Sequence, residues 1–255
     1  MNPMNPTNPL VTWLDSALPG SAWRPSATVV GALLNDRAEW SALGDAAQAP
    51  PYKGRARAPV LQVKPRNTLV GNGAKVEVPA GAAALEVGAT LAIVIGATAC
   101  RVGSSEAMRC VAGYTLAADL RVPTSGPQAH YRPAVRQRAR DGFCPIGPRI
   151  VPAAAIASPD ELWIEVAVDG QLVQRAGTAG RVRGVATLIA DVSAFMTLHP
   201  GDILLLGAPA DAQQVAAGRQ VSLTLPAIGT LHFALVSEGA HGAGASLVPP
   251  SGAAA

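Results

Sequence analysis

Four arginines, Arg132, Arg136, Arg138 and Arg140, recur at even spacing in one stretch of the chain. A guanidinium fork grips a carboxylate through two parallel hydrogen bonds, so such a group can line an anion pocket. It can equally form a solvated, salt-bridged surface. Lys64 ends an apolar run and can orient a substrate carboxylate, or stand as a solvated loop lysine. Lys64, Arg138 and Asp141 are the candidate catalytic groups, and Arg132 and Arg136 the candidate substrate-binding ones; the alternative for Asp141 is to tie down its own loop through backbone amides. His130 and His199 each stand apart from any second candidate ligand. Cys144 lies between Phe143 and Pro145 without a nearby base, the setting of a buried structural thiol.

Strands must position these groups. Short β-branched or apolar runs recur at 28–33, 59–63, 91–95, 162–168, 203–206, 221–225 and 231–236, punctuated by Gly and Pro. Val168-Asp169-Gly170-Gln171 predicts a hairpin, because Asp-Gly tolerates the positive φ values of a tight turn. Helices are fewer. One is predicted from Ser104, with Ser as its cap, through Met108 and Val111. A second is predicted over 182–195, where Val185, Leu188, Ile189 and Val192 fall at helical spacing. The expected fold class is α+β, mainly β, without the strict alternation of a doubly wound sheet. Residues 1–25 repeat Asn-Pro and read as a disordered extension. Residues 239–255, rich in Gly, Ala, Ser and Pro, read as a disordered tail. A folded body at 26–238 remains, with a small N-terminal segment at 26–58 and the main unit at 59–238.

The chain has 255 residues, 49% of them apolar, which suffices for a sizeable core without staples. Its 20 Lys and Arg against 17 Asp and Glu give a formal charge of only +3, without clustering, so a nucleic-acid partner is not expected. With aromatics at 4%, stacking platforms for single strands are scarce as well. Three cysteines without a CxxC pair fit a reducing compartment, and no apolar stretch approaches the ~20 residues of a membrane helix, so a cytoplasmic protein is expected. Neither a Walker loop nor a GxGxxG between strand and helix is present.

Several blocks, in order over roughly residues 28–236, resemble the fumarylacetoacetate hydrolase superfamily. They are Lys64-Pro65-Arg66-Asn67-Thr68, Leu91-Ala92-Ile93-Val94-Ile95-Gly96, Val111-Ala112-Gly113-Tyr114-Thr115-Leu116-Ala117-Ala118-Asp119, Asp141-Gly142-Phe143-Cys144-Pro145-Ile146-Gly147-Pro148, Val168-Asp169-Gly170-Gln171, Thr197-Leu198-His199-Pro200-Gly201-Asp202-Ile203-Leu204 and Ala227-Ile228-Gly229-Thr230-Leu231. The run from Tyr131 to Arg136, followed by Arg140 to Gly147, is similar to the isomerase/decarboxylase branch of 4-hydroxyphenylacetate degradation, and within it to the N-terminal half or separate first subunit. The resemblance implies a mixed β-sandwich roll with few helices. It implies a divalent metal, Mg²⁺ or Mn²⁺, that chelates a 1,2-dicarbonyl or enol-carboxylate substrate and stabilises an enolate. It also implies a small dicarboxylate or tricarboxylate substrate, and a homo- or hetero-oligomer with an acid-complete paralogue.

The departures are as informative. The superfamily's metal ligands are a Glu-x-Glu before the Leu91 strand and the Asp after Gly-Tyr-Thr. Here those Glu positions hold Gly88 and Thr90, and Asp119 alone remains. Glu86 lies two residues early, with the parity that puts it on the same strand face as Gly88 and Thr90. One carboxylate among neutral groups is a poor Mg²⁺ site. Arg138 replaces the superfamily's lysine, keeping the charge without readily shuttling a proton. Leu206-Gly207-Ala208-Pro209 lacks the usual threonine hydroxyl, and Pro123 replaces an arginine. Between Pro65 and Ala84 there is no His and Glu77 is the only acid, so a hydrolase-type His–Glu dyad has no source there. Three readings follow: a subunit working with an acid-complete partner, a catalytically silent partner, or a stand-alone acylpyruvate-type hydrolase or tautomerase with a remodelled site.

Overall fold

The computed structural model describes residues 28–50, 53–54, 57–123 and 134–239. The expected extension at 1–25, nearly all of the expected tail, and Arg132 and His130 lie outside the described residues.

Among the described residues, thirteen strands form two sheets. The first contains β1 (Val29–Leu33), β2 (Val60–Lys64), β3 (Leu69–Val70), β5 (Leu85–Ile95), β6 (Val111–Arg121), β7 (Cys144–Pro152) and β10 (Ile203–Leu205), in the order β2-β1-β10-β5-β6-β7-β3, with β11 (Gln213–Val215) paired to β5. The second contains β4 (Ala74–Val78), β8 (Trp163–Val168), β9 (Gln171–Gly177), β12 (Arg219–Leu225) and β13 (Gly229–Ser237), in the order β4-β13-β12-β8-β9. The β1–β10, β3–β7 and β4–β13 pairs are parallel and the others antiparallel, so both sheets are mixed.

Chain connectivity forces the first sheet to curl. Strands β2 and β3 are its two ends, yet only residues 65–68 separate them. A flat path of six inter-strand gaps would be ~29 Å wide, whereas five residue steps reach at most ~18 Å. The sheet therefore rolls up. Its lumen is filled by side chains such as Val29, Leu69, Ala92, Val94, Ala117, Ile146, Ile203 and Leu205, all buried. The alternate residues of the same strands, such as Leu91, Ile93, Tyr114 and Leu116, point outward and join the second sheet in one larger core. Helix α4 (Val185–Ser193) adds Val185, Leu188, Ile189 and Val192 to that core, as their spacing predicts.

The mainly β, α+β roll is therefore the observed fold, and the Asp169–Gly170 hairpin forms with positive φ at both residues (50° and 81°). Two expectations need correction. The helix predicted from Ser104 is only α2 (Ser104–Ala107), followed by a 3₁₀ turn over Met108–Cys110; its N-cap is Gly103, without a side-chain bond. Val111 instead opens β6, whose eleven residues are held by β5 and β7. Helix α1 (Arg37–Leu43) was not predicted, although Asp36 caps it by accepting from the Ala38 amide at 2.8 Å. The remaining short helix is α3 (Val135–Arg138). Strand β1 is built into the roll between β2 and β10. Among the described residues, no helix is long and apolar enough to cross a membrane.

Candidate functional site

The roll brings together polar residues from strands that are not neighbours. Gln62 and Lys64 are two apart on β2 and share one face. Asp119 lies on β6, with three strands standing between it and β2 along the sheet. Flat, those strands would stand ~19 Å apart, so their contact exists only because the sheet curls. Lys64 Nζ is hydrogen-bonded and ion-paired to Asp119 Oδ1, with side-chain exposures of 1% and 6%. Gln62 Nε2 donates to Asp119 Oδ2 at 2.5 Å. Arg138, at the end of α3, reaches in with its guanidinium 3.3 Å from Asp119 Oδ2 and 3.4 Å from Gln62 Oε1.

Burial alone would push the Asp119 carboxyl up. The charges of Lys64 and Arg138, with the hydrogen bonds from Lys64 and Gln62, outweigh it and hold the carboxyl below the usual carboxylate range. Asp119 is thus a buried anion whose charge is answered within the chain. Burial lowers the Arg138 guanidinium from its ordinary value, opposed mainly by Asp119. Beside this cluster, Glu86 of β5 and Arg121 of β6, opposite each other in register, form a second ion pair.

Glu86, Gly88, Asp119, Arg121 and Arg138 border one cavity, lined also by Glu39 of α1 and by Ala208 and Pro209. The parity argument that put Glu86 and Gly88 on one face therefore holds. The cavity is partly open to solvent and measures about 30 Å³, room for a water molecule or two.

Of the residues singled out from sequence, the structure brings Lys64, Asp119 and Arg138 together. It does not bring Arg136 or Asp141 to them. Arg136 is exposed on α3, because residues two apart on a helical turn face different ways. Asp141 is exposed and accepts from Asn67 Nδ2 at 2.7 Å, a side-chain partner rather than the backbone amides expected. With Arg140, it borders a separate depression formed with Glu77 and Glu238. Cys144 is fully buried and its thiol is pushed up to about 12, chiefly by burial, in keeping with a structural role. Sequence reasoning missed Gln62, whose parity with Lys64 on a predicted strand was the available signal. It also missed the Glu86–Arg121 pair, which needs the β5–β6 register to be seen.

A divalent metal is the group that this superfamily implies, and the residues present do not fit one. Gly88 offers no ligand. The Thr90 hydroxyl accepts from the Gly207 amide at 3.0 Å and donates to the Leu91 carbonyl at 3.3 Å. Asp119 already faces two cations. Among the described residues, no group of three His, Cys, Asp or Glu side chains is placed to hold a metal ion.

Residues 28–236 match the family described as fumarylacetoacetate (FAA) hydrolase C-terminal, and the chain belongs to that family. More particularly, it is 36% identical over 211 residues to the 4-hydroxyphenylacetate degradation bifunctional isomerase/decarboxylase of Escherichia coli. That alignment covers 83% of this chain and 47% of the relative, so the chain spans about half the length of that protein. The mitochondrial oxaloacetate tautomerase of Arabidopsis thaliana is 31% identical, over 69% of this chain and 79% of its own. Among solved structures, the 2-hydroxyhepta-2,4-diene-1,7-dioate isomerase of Mycobacterium marinum superposes with a TM-score of 0.70 at 30% identity, covering 86% of this chain and 77% of that one. The maleylpyruvate hydrolase of Sphingobium sp. SYK-6, solved in complex with manganese(II) and pyruvate, superposes with a TM-score of 0.67 at 28% identity, covering 84% and 71%. The family thus includes isomerases, decarboxylases, tautomerases and hydrolases, with a divalent metal in at least one member.

Proposed function

We propose that this chain is a subunit of an isomerase/decarboxylase in 4-hydroxyphenylacetate catabolism, working beside a companion of the same fold that carries the complete Glu-x-Glu and Asp set. The assembly would decarboxylate 5-oxopent-3-ene-1,2,5-tricarboxylate and isomerise 2-hydroxyhepta-2,4-diene-1,7-dioate. The observation that carries the reading is the state of Asp119. Its carboxylate is buried and satisfied by Lys64, Arg138 and Gln62, so it has little left to offer a metal.

Within such an assembly the internally paired Asp119 favours a supporting role for this subunit over a chemical one. A stand-alone hydrolase fits less well, because among the described residues no histidine borders the site and the Glu86 carboxylate beside it is already paired with Arg121. The test is an assay of both reactions with this chain alone, with an acid-complete paralogue alone, and with the two co-expressed. The reading expects activity in the companion and in the mixture, with the two chains co-purifying. Turnover by the isolated chain, or two chains that never associate, would count against it.

A further inference from the structure

The two β5 positions where this family's metal carboxylates would stand are engaged by another part of the chain. Residues 206–210 leave β10 and lie across them. Thr90 Oγ1 accepts the Gly207 amide at 3.0 Å. A Cβ placed on Gly88 would fall 2.5 Å from the Ala208 Cβ and 2.9 Å from the Asp119 carbonyl oxygen, separations at which something must move. Neither neighbour is the free end of a flexible side chain, so the strand or the loop itself would have to shift.

The same loop is anchored further along its length. The Leu206 amide donates to the Leu91 carbonyl at 2.9 Å, and Asn35 Nδ2 donates to the Leu206 carbonyl at 2.8 Å. Arg181, buried at 6% exposure, donates from Nη1 to the Ala208 carbonyl at 3.0 Å and from Nη2 to the Gly177 carbonyl at 2.8 Å. Asp36 pairs with Arg181 at 3.0 Å and accepts the Ala210 amide at 3.2 Å. Gly207 has φ +110°, a value open to glycine, and a Cβ there would fall 3.0 Å from the Ala32 carbonyl oxygen.

We propose that loop 206–210 is a fixed plug seated on Gly88 and Thr90, so that these two positions serve as a docking surface for the chain's own backbone and cannot be returned to metal ligation by restoring their carboxylates alone. A glutamate at position 88 has no place to start from, and one at position 90 strands the Gly207 amide. The inference rests on the reading that this subunit does not itself hold the metal, but it concerns the architecture of the seat and not the partner or the reaction.

The test uses the full chain. Thr90→Val keeps the shape and removes the acceptor, and should speed hydrogen exchange in a peptide spanning residues 206–210 by roughly tenfold or more. Gly88→Ala should lower the melting temperature, and Ala208→Gly placed in the same chain should recover part of the loss, because one of the two close approaches is then relieved. The double variant Gly88→Glu with Thr90→Glu should show no stoichiometric Mn²⁺ binding by calorimetry. Unchanged exchange in Thr90→Val, a neutral Gly88→Ala, or stoichiometric Mn²⁺ binding by the double variant would each overturn the plug. None of these readouts uses the companion subunit or its substrates, so a failed activity assay leaves them intact, and their failure leaves the assay intact.

Discussion

Removing the Asp119 carboxylate separates a structural ion cluster from a metal site. In Asp119→Ala, Lys64 and Arg138 remain at 1% and 10% side-chain exposure and lose their common anion. Breaking a buried pair by deleting one partner costs about 3–5 kcal/mol, because the stranded charge stays desolvated. For a folded unit of this size each kcal/mol moves the melting temperature by about 2–4 °C, so the expected fall is roughly 6–20 °C. The pH dependence has a fixed sign. The folded-state pKa of Asp119 is depressed, so its contribution is present above the unfolded value of about 3.9 and is lost as pH falls through the folded value. The gap between wild type and variant should therefore be flat through neutral pH and close only below about pH 4. Lys64→Met in the Asp119→Ala background removes one stranded cation, and the double variant should be more stable than the sum of the singles predicts. Calorimetric melting from pH 3 to 8, with and without a chelator, reads all of this. A shift under about 2 °C, or a chelator-induced loss of wild-type stability that Asp119→Ala abolishes, would refute the internal-pairing argument.

Three further outcomes follow from other parts of the molecule. Of the three free thiols only Cys100 is exposed, so native protein should show one fast-reacting equivalent with a disulfide reagent at mildly alkaline pH, and Cys100→Ser should abolish it. Arg181→Met removes the ion pair of Asp36 and leaves the Ala208 and Gly177 carbonyls without their donor; it should cost about 1–3 kcal/mol in denaturant unfolding and speed chymotryptic cleavage near Trp40. Gly170→Ala puts a side chain at φ +81° with no neighbour within 4 Å, so backbone strain alone should cost about 1–2 kcal/mol, read as a lower denaturant midpoint with an unchanged slope.

Much of the fold was legible because its signals are local. The Asp169–Gly170 turn, the apolar runs and the helical spacing of Val185 to Val192 all lie within a few residues of what they determine. The 91–95 run grows to Leu85–Ile95 because pairing with β6 and β11 extends it, and neither partner is close in sequence. Helix α1 depends on Asp36, whose carboxylate also answers Arg181 from 145 residues away. At the site, the loss of two carboxylates was readable by counting back from Leu91. What replaced them was not: Gln62 and Lys64 meet Asp119 across the lumen of the roll, at sequence separations of 57 and 55. The arginine row shows the opposite error, since even spacing suits a strand, whereas α3 turns Arg136 outward and Arg138 inward.

The most direct test of the central claim is a calorimetric titration of the purified full chain with Mn²⁺ at neutral pH. Internal neutralisation of Asp119 predicts no stoichiometric heat and no change in melting temperature on addition of the metal. Tight stoichiometric Mn²⁺ binding that disappears in Asp119→Ala would contradict it.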